Sequence, residues 1–279
     1  MRILYTNFHA GDGGGHTTYV MALARSLAAR HAIHVAAPPG SRLLHEAQAL
    51  PGIGATPQAF PNGLRQLGER RRARAGLRAL LASGFDLVHV NGSADHRLVL
   101  SALRGLPTRP RIVLTRHNSK AATGPGTWWR ARRGTDRVIA VCEHPRTALL
   151  PTAYGAVPLE TVRNGVDLAH YRPWPAEACA AARRQWLGDD GRDALVLGSN
   201  AGTAPYKGWM DLVDALALLP DDARAQVRVL LAGHAPPPDA LAAVAARGLA
   251  SQVHFAGLLQ DTRPLVAAVD AGFVLSWGV

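Results

Sequence analysis

Short hydrophobic runs alternate along the chain with longer amphipathic stretches. The run from Ile3 to Phe8 is followed by a glycine-rich turn and then by apolar residues at helical spacing from Thr18 to Ala29. This order predicts a strand, a loop and a helix. Further strands of the first part are predicted at 31–37, 85–90, 111–115 and 137–142. Strands that alternate with helices predict an α/β fold with a parallel sheet covered on both faces.

A second unit of the same kind is predicted after a proline-bearing segment, Tyr171–Pro175, which interrupts both helix and strand patterns. We therefore predict two Rossmann-like, doubly wound domains, 1–172 and 173–279. The chain ends at Val279, directly after the last predicted strand, so we expect the second domain to be incomplete. Strands of this domain are predicted at 194–198, 227–232, 253–256 and 272–275, and helices are predicted to begin near Gly208, Asp239 and Thr262.

Charge is unevenly shared between the two predicted domains. The 279 residues carry a net charge of +11, but residues 1–172 hold 23 basic and 9 acidic side chains, and the remainder is slightly acidic. This basic half suits an anionic lipid, a phosphorylated saccharide or a nucleic acid, and a solvated arginine face is the alternative. No nucleic-acid-binding motif is present, so we expect no nucleic-acid partner. The basic positions are Arg65, Arg70, Arg71, Arg72, Arg74 and Arg78 on one predicted helix, and a second cluster at 128–133.

Several classes of protein are excluded by what the sequence lacks. Two cysteines are too few for a disulfide scaffold, and no apolar run approaches the roughly 18 residues of a membrane span. The sequence contains no H-E-x-x-H, G-x-S-x-G or Asp-x-Asp motif, so we expect no metal. These features predict a cytoplasmic protein that contacts at most the inner face of the cell membrane.

Three segments lie where parallel strands of such a fold bind ligands. The loop 11–16 is the first strand-to-helix turn, but His16 replaces the third glycine of a dinucleotide site, which argues against NAD. His89 with Asn91, and His117 with Asn118, follow two other strands and indicate a cleft. A ligand-independent turn and structural histidines remain the alternatives.

The segment 199–208 is the first strand-to-helix loop of the second domain, and it contains Lys207 just before a predicted helix. Backbone N–H groups, the helix dipole and the ammonium would converge on a phosphate there. The chain has 29 arginines and only two lysines, so a lysine departs from its usual choice of cation. A solvated lysine is the alternative.

In combination, these segments resemble the retaining GT-B glycosyltransferases of family 4, over essentially the whole chain. The most specific combination is Asn164-Gly165-Val166-Asp167 before the linker with Lys207-Gly208 opening the second domain. The other segments that carry the resemblance are the glycine-rich first loop, 86–89, 115–118, 136–142 and 253–257.

The resemblance implies that a sugar moves, with retention and without a metal or other cofactor, from a nucleotide-sugar to a lipid-linked or cell-envelope saccharide such as lipopolysaccharide. His117 would lie near the transferred sugar, and Lys207 would neutralise the diphosphate leaving group. The donor or its phosphates would be bound by Gly14, Gly15, Asn164, Thr203 and Lys207, and the acceptor side would comprise His16, His89, Asn91, Arg116 and Asn118.

Two departures from the family pattern favour a second interpretation. The family usually has an arginine about five residues before the lysine, where this chain reads Ala201-Gly202-Thr203. The paired glutamates that usually contact the donor would follow Val279. The alternative is therefore a catalytically incompetent remnant that binds an anionic glycan or a membrane surface.

Overall fold

The chain folds into two compact units, Met1–Val166 and Asp167–Val279. The computed structural model describes residues 1–63, 66–120 and 122–277. The division between the units lies shortly before Arg172, the predicted end of the first domain. Each unit is built on its own parallel sheet, which confirms the predicted α/β class.

The first unit contains a seven-stranded sheet in which every pair of neighbouring strands is parallel, in the order β3-β2-β1-β4-β5-β6-β7. The strand order reverses between β1 and β4, and ligands of open α/β sheets bind beside the carboxyl ends of strands at such a point. The strands are β1 (Arg2–Thr6), β2 (Ala32–Ala37), β3 (Ile53–Pro57), β4 (Leu87–Val90), β5 (Arg111–Arg116), β6 (Arg137–Ala140) and β7 (Leu159–Thr161).

Helices pack on both faces of this sheet and form two hydrophobic clusters. One cluster contains Val88, Val99 and Ile112, each fully buried, and the other contains Val20 and Val35. The near-continuous apolar character of β4 and β5 follows from this coverage on both sides. The helices are α1 (Gly14–Ala28), α2 (Arg42–Gln48), α3 (Leu67–Ala82), α4 (Ser93–Leu103), α5 (Pro125–Gly134) and α6 (Glu143–Leu149).

The second unit is a smaller parallel sheet in the order β10-β9-β8-β11. Pro175 precedes its first helix, so the proline-bearing segment ends where that helix begins. The strands are β8 (Leu195–Ser199), β9 (Val227–Ala232), β10 (Val253–Gly257) and β11 (Ala271–Gly272), and the helices are α7 (Ala176–Leu187), α8 (Trp209–Ala217), α9 (Asp221–Ala225), α10 (Pro238–Ala246) and α11 (Arg263–Ala268).

The predicted strand 272–275 is wrong over most of its length. Only Ala271–Gly272 pairs with β8, and the backbone then leaves the sheet. Val274 is 69% exposed and Trp277 is 56% exposed, while the Trp277 N–H donates to the Tyr206 carbonyl at 3.0 Å. Val274, Leu275 and Trp277 therefore lie at the surface, whereas Phe273 packs against the hydrophobic core of this unit.

Candidate functional site

The first loop of the N-terminal unit turns sharply because its glycines have left-handed backbone. The φ angles are +66° at Gly13 and +49° at Gly14, and a Cβ on Gly13 would lie 2.4 Å from Thr17 Oγ1. Asp12 Oδ2 accepts a hydrogen bond from the Gly14 N–H at 3.0 Å. A Cβ on Gly14 or Gly15 would meet nothing within 4 Å. The start of α1 thus borders open space, as ligand binding at a helix N-terminus requires.

His117, which follows β5, packs against two aromatic rings. Its ring centroid lies 4.0 Å from that of His16 and 4.8 Å from that of Tyr19. Its Nε2 lies 3.1 Å from the Asn91 amide oxygen, so Nε2 carries the proton and donates it. Burial, reinforced by neighbouring histidines, lowers the pKa of His117 to about 3 and that of His16 to about 4. Both rings are neutral at pH 7 and can exchange hydrogen bonds with hydroxyl groups without contributing charge.

Asn91 is held in place by Asp95, which lies in the first turn of α4. Asp95 Oδ2 accepts hydrogen bonds from the Asn91 N–H at 2.7 Å and from Thr6 Oγ1 at 2.9 Å. The Asn91 side-chain amide donates to the Thr6 carbonyl at 3.0 Å. Asp95 is fully buried, and this burial raises its pKa to about 7. The network fixes the amide so that its oxygen faces His117.

Thr115 on β5 is the centre of a second group of hydrogen bonds beside His117. Its Oγ1 lies 2.6 Å from His89 Nε2 and 3.0 Å from the Tyr19 hydroxyl. His89 is 5% exposed, and burial lowers its pKa to about 4. His89 therefore acts on His117 indirectly, because it positions the Tyr19 ring against which His117 packs.

In the second unit, the loop that follows β8 is packed tightly against the loop that follows β9. Gly233 has a φ of +158°, and a Cβ there would lie 2.8 Å from Gly202 Cα. The Thr203 hydroxyl donates to the His234 carbonyl, and the Trp209 indole N–H donates to the Thr203 carbonyl at 2.9 Å. Thr203 is buried, so its hydroxyl is engaged in holding the two loops together.

Lys207 ends a short 3-10 helix, Pro205–Lys207, directly before α8. Gly208 follows with a φ of +70°, and a Cβ there would lie 2.2 Å from the Leu275 carbonyl oxygen, so only glycine fits. The Lys207 ammonium lies 5.0 Å from the centroid of the Tyr206 ring. Within the described part of this unit, no carboxylate lies within ion-pair distance of the ammonium.

Residues 1–63, 66–120 and 122–277 contain neither a metal-binding cluster nor a membrane-spanning helix. No group of three or more His, Cys, Asp or Glu side chains is arranged so that it could hold a metal ion. Among the helices in these same ranges, none is both long enough and apolar enough to cross a membrane.

The sequence from residue 13 to residue 170 matches the family described as Glycosyltransferase Family 4. This match covers more than half of the chain. The chain belongs to glycosyltransferase family 4. No curated protein matches this family-4 chain significantly in sequence.

Solved structures of glycosyltransferases share the GT-B architecture of this family-4 chain. HepE of Anabaena, solved with UDP-glucose, is 22% identical with a TM-score of 0.77, and the alignment covers 99% of this chain and 74% of HepE. WaaG, a glycosyltransferase involved in lipopolysaccharide biosynthesis, is 16% identical with a TM-score of 0.70, over 99% and 75%. The lipopolysaccharide outer core galactosyltransferase WaaB is 14% identical with a TM-score of 0.65, over 99% and 74%.

The structure of this family-4 glycosyltransferase brings only part of the predicted site residues into contact. His117 contacts both His16 and Asn91, whereas Arg116 lines a separate cavity. Asn118 Oδ1 accepts the Lys120 N–H at 3.2 Å and so closes a turn. The remaining predicted residues are distributed as follows: Gly14 and Gly15 border open space, His89 is buried, Asn164 is exposed after β7, and Thr203 and Lys207 lie in the loop after β8 of the second unit.

Four residues that support the candidate site were not predicted. Asp95, Thr115 and Tyr19 orient the imidazoles and the amide, and His9 packs on His16 with ring centroids 4.3 Å apart. Of these four, only Thr115 could have been found from the sequence. It lies near the end of β5, two residues before His117, at the same end of the strand.

Proposed function

We propose that this chain transfers a sugar from a nucleotide-sugar to a saccharide of the cell envelope, with retention of configuration and without a metal. The position of Lys207 is the observation that supports this proposal most strongly. Lys207 lies in the loop after β8, directly before α8, and has no carboxylate partner among the described residues. An unpaired ammonium there can stabilise the charge that develops on a departing nucleoside diphosphate. NMR of the product's anomeric configuration tests retention.

The proposal assigns the acceptor to the N-terminal unit. Neutral His117 and His16 rings beside the glycine loop suit recognition of sugar hydroxyls. The Nε2–H of His117 is donated to Asn91, so its Nδ1 is left as an acceptor for a hydroxyl group. The likeness to WaaG and WaaB supports a lipopolysaccharide-type acceptor, and the likeness to HepE, solved with UDP-glucose, supports a UDP-sugar donor. A cytoplasmic location, where nucleotide-sugars are available, belongs to the same proposal.

UDP-glucose, GDP-glucose and ADP-glucose, added separately, test the donor site. A ligand that binds the folded chain raises its melting temperature by mass action, and at a hundredfold excess over Kd the stabilisation is about 3 kcal/mol. We expect a rise with UDP-glucose and a smaller rise with the other two. No response to any of the three would favour the glycan-binding remnant over a transferase.

We also propose that α3 contacts the anionic inner face of the membrane. Arg70, Arg71 and Arg74 line a surface cavity of about 220 Å³ together with Arg97 of α4. Arg78 does not belong to this surface, because its guanidinium donates to the Ala102 and Gly105 carbonyls at the end of α4, both at 3.1 Å. The predicted basic face is therefore smaller than its sequence suggested, and Arg65 lies outside the described residues.

Charge reversal at two adjacent positions of α3 tests this contact. Arg71→Glu should weaken sedimentation with phosphatidylglycerol vesicles about tenfold or more, because each basic side chain near an anionic surface contributes about 1 kcal/mol. Arg72→Glu carries the same change in charge but does not line the cavity, so it should have a much smaller effect. Unchanged sedimentation of both variants would return α3 to a solvated arginine face, and tight binding to duplex DNA instead of vesicles would reassign the partner.

A further inference from the structure

A second, much smaller cavity lies beside the carboxyl end of β5, between the start of α4 and α5. It measures about 30 Å³, room for about two or three water molecules. Its lining is mainly polar and includes His96, Arg116, Arg130 and Tyr154. None of the contacts described for His117 involves this cavity, because Arg116 and His117 are consecutive residues whose side chains contact different neighbours.

Three buried nitrogen atoms from the lining have no hydrogen-bond partner in the described residues: Nε of Arg116, Nε of Arg130 and Nδ1 of His96. Buried polar atoms are normally paired, so three around one cavity indicate a missing polar group. His96 is fully buried, and burial lowers its pKa to about 4, which makes the ring neutral. Its Nε2 faces the Gly134 carbonyl at 3.2 Å and carries the proton, so Nδ1 is an acceptor.

The positive charge at this cavity is not neutralised by the described part of the chain. The Arg116 guanidinium donates to the Lys120 carbonyl at 2.6 Å, and that of Arg130 donates to Thr127 Oγ1 at 2.9 Å. Both partners are uncharged. Arg109 and Arg111, by contrast, share the Asp136 carboxylate.

The two arginines also oppose each other's charge. Burial lowers the pKa of Arg116, and the nearby Arg130 adds to this effect. Two partly buried guanidinium groups without a carboxylate favour a bound anion, which would relieve their repulsion. Burial raises the pKa of Tyr154, so its hydroxyl stays neutral and leaves the charge uncompensated.

We propose that Arg116, Arg130 and His96 bind a phosphate group of the acceptor. The acceptor of the proposed transfer would then be a phosphate ester, carried on a sugar or on a lipid. Guanidinium forks match phosphate oxygens, and the His96 Nδ1 can accept a hydrogen bond from the P–OH of a monoester or from a sugar hydroxyl. The role of this group as acceptor rests on the proposed function, but the phosphate site itself does not.

Isothermal titration calorimetry on the Lys207→Ala chain tests the site, since this background removes the proposed donor-phosphate contact. The ligands are inorganic phosphate, glucose 1-phosphate and glucose. We expect saturable binding of the first two and none of glucose. Arg130→Gln in the same background should weaken phosphate binding about tenfold or more, because a hydrogen bond to a charged group contributes at least this factor.

Arg133→Gln is the matched control, because Arg133 is an exposed residue of the same helix and does not line the cavity. It should bind phosphate like the parent. Arg130→Lys, which keeps the charge but loses the planar fork, should lie between Arg130→Gln and the parent and guards against misfolding of the Gln variant. Equal weakening by Arg130→Gln and Arg133→Gln, or no saturable phosphate binding at all, would overturn the site.

A further comparison distinguishes a sugar phosphate from a lipid headgroup as the source of the phosphate group. Glucose 1-phosphate binding that Arg130→Gln removes assigns the group to a sugar phosphate. Binding of phosphatidic acid vesicles alone, lost in Arg130→Gln but retained in Arg133→Gln, assigns it to a lipid headgroup. If Lys207→Ala keeps full turnover while the phosphate site persists, the donor assignment is wrong and this inference stands.

Discussion

Replacing Lys207 with alanine should lower turnover by about a hundredfold to a thousandfold, the effect of removing one preorganised group that stabilises transition-state charge. The Lys207 side chain has no ion pair among the described residues, and its ammonium lies beside the Tyr206 ring, so its loss should leave the fold intact. The measurement is steady-state transfer from the donor that raises the melting temperature. Turnover of the parent chain should also persist in EDTA.

Lys120→Ala provides the control for that experiment, because Lys120 is the only other lysine in the sequence. It lies exposed in the N-terminal unit, and its backbone carbonyl, which survives the substitution, is the atom that binds Arg116. Lys120→Ala should keep normal turnover. Comparable activity in both lysine variants would remove the electrostatic role from Lys207.

Stability should fall as the pH is lowered from 7 to 5, and Asp95→Asn should steepen this loss. His89 and His96 have folded-state pKa values of about 4, below the ordinary 6.5, so the unfolded chain takes up protons first. Their contribution to stability is complete above pH 6.5 and is lost as the pH falls toward 4. Between pH 7 and 5 each removes on the order of 2 kcal/mol.

Asp95 has the opposite effect on the pH dependence of stability. Its folded-state pKa of about 7 lies above the ordinary 3.8, so its contribution is complete below about pH 4 and is lost as the pH rises through 7. Asp95→Asn removes this opposing titration and should lose on the order of 2 kcal/mol more than the parent between pH 7 and 5. Urea unfolding at both pH values measures the difference, with exposed Glu69→Gln as control. Parallel pH dependence in Asp95→Asn and the parent would show that Asp95 is ionised throughout.

In the first sheet, the central strands could be predicted from the sequence, but the two edge strands could not. β5 is a run of β-branched and apolar residues whose Ile112 and Leu114 are buried, which is the pattern that identifies an interior strand. β3 and β7 were missed: Ile53–Pro57 contains a glycine and ends in proline, and Leu159–Thr161 has only three residues. Short, half-buried edge strands lack a hydrophobic period long enough to recognise.

The candidate site was predictable only where side chains follow strands directly. His117 was found because it follows β5, whereas Asp95 resembles any acidic residue in the first turn of a helix. Its burial between Thr6 and Asn91 depends on tertiary packing. Arg116 and Arg130 line one cavity because α5 packs beside α4 next to the end of β5. An arginine-rich sequence gives no sign of which guanidinium groups are enclosed.

The neutral imidazoles around His117 determine how ligand binding at this site should depend on ionic strength. Although the first part of the chain is strongly basic, the rings that border the glycine loop carry no charge at pH 7, since burial lowers the pKa values of His16 and His117. Dissolved salt screens contacts made by exposed arginines and has little effect on hydrogen bonds between neutral groups. Binding of sugar hydroxyls at His117 should therefore persist in concentrated salt. The same salt concentration should dissociate this chain from an anionic surface.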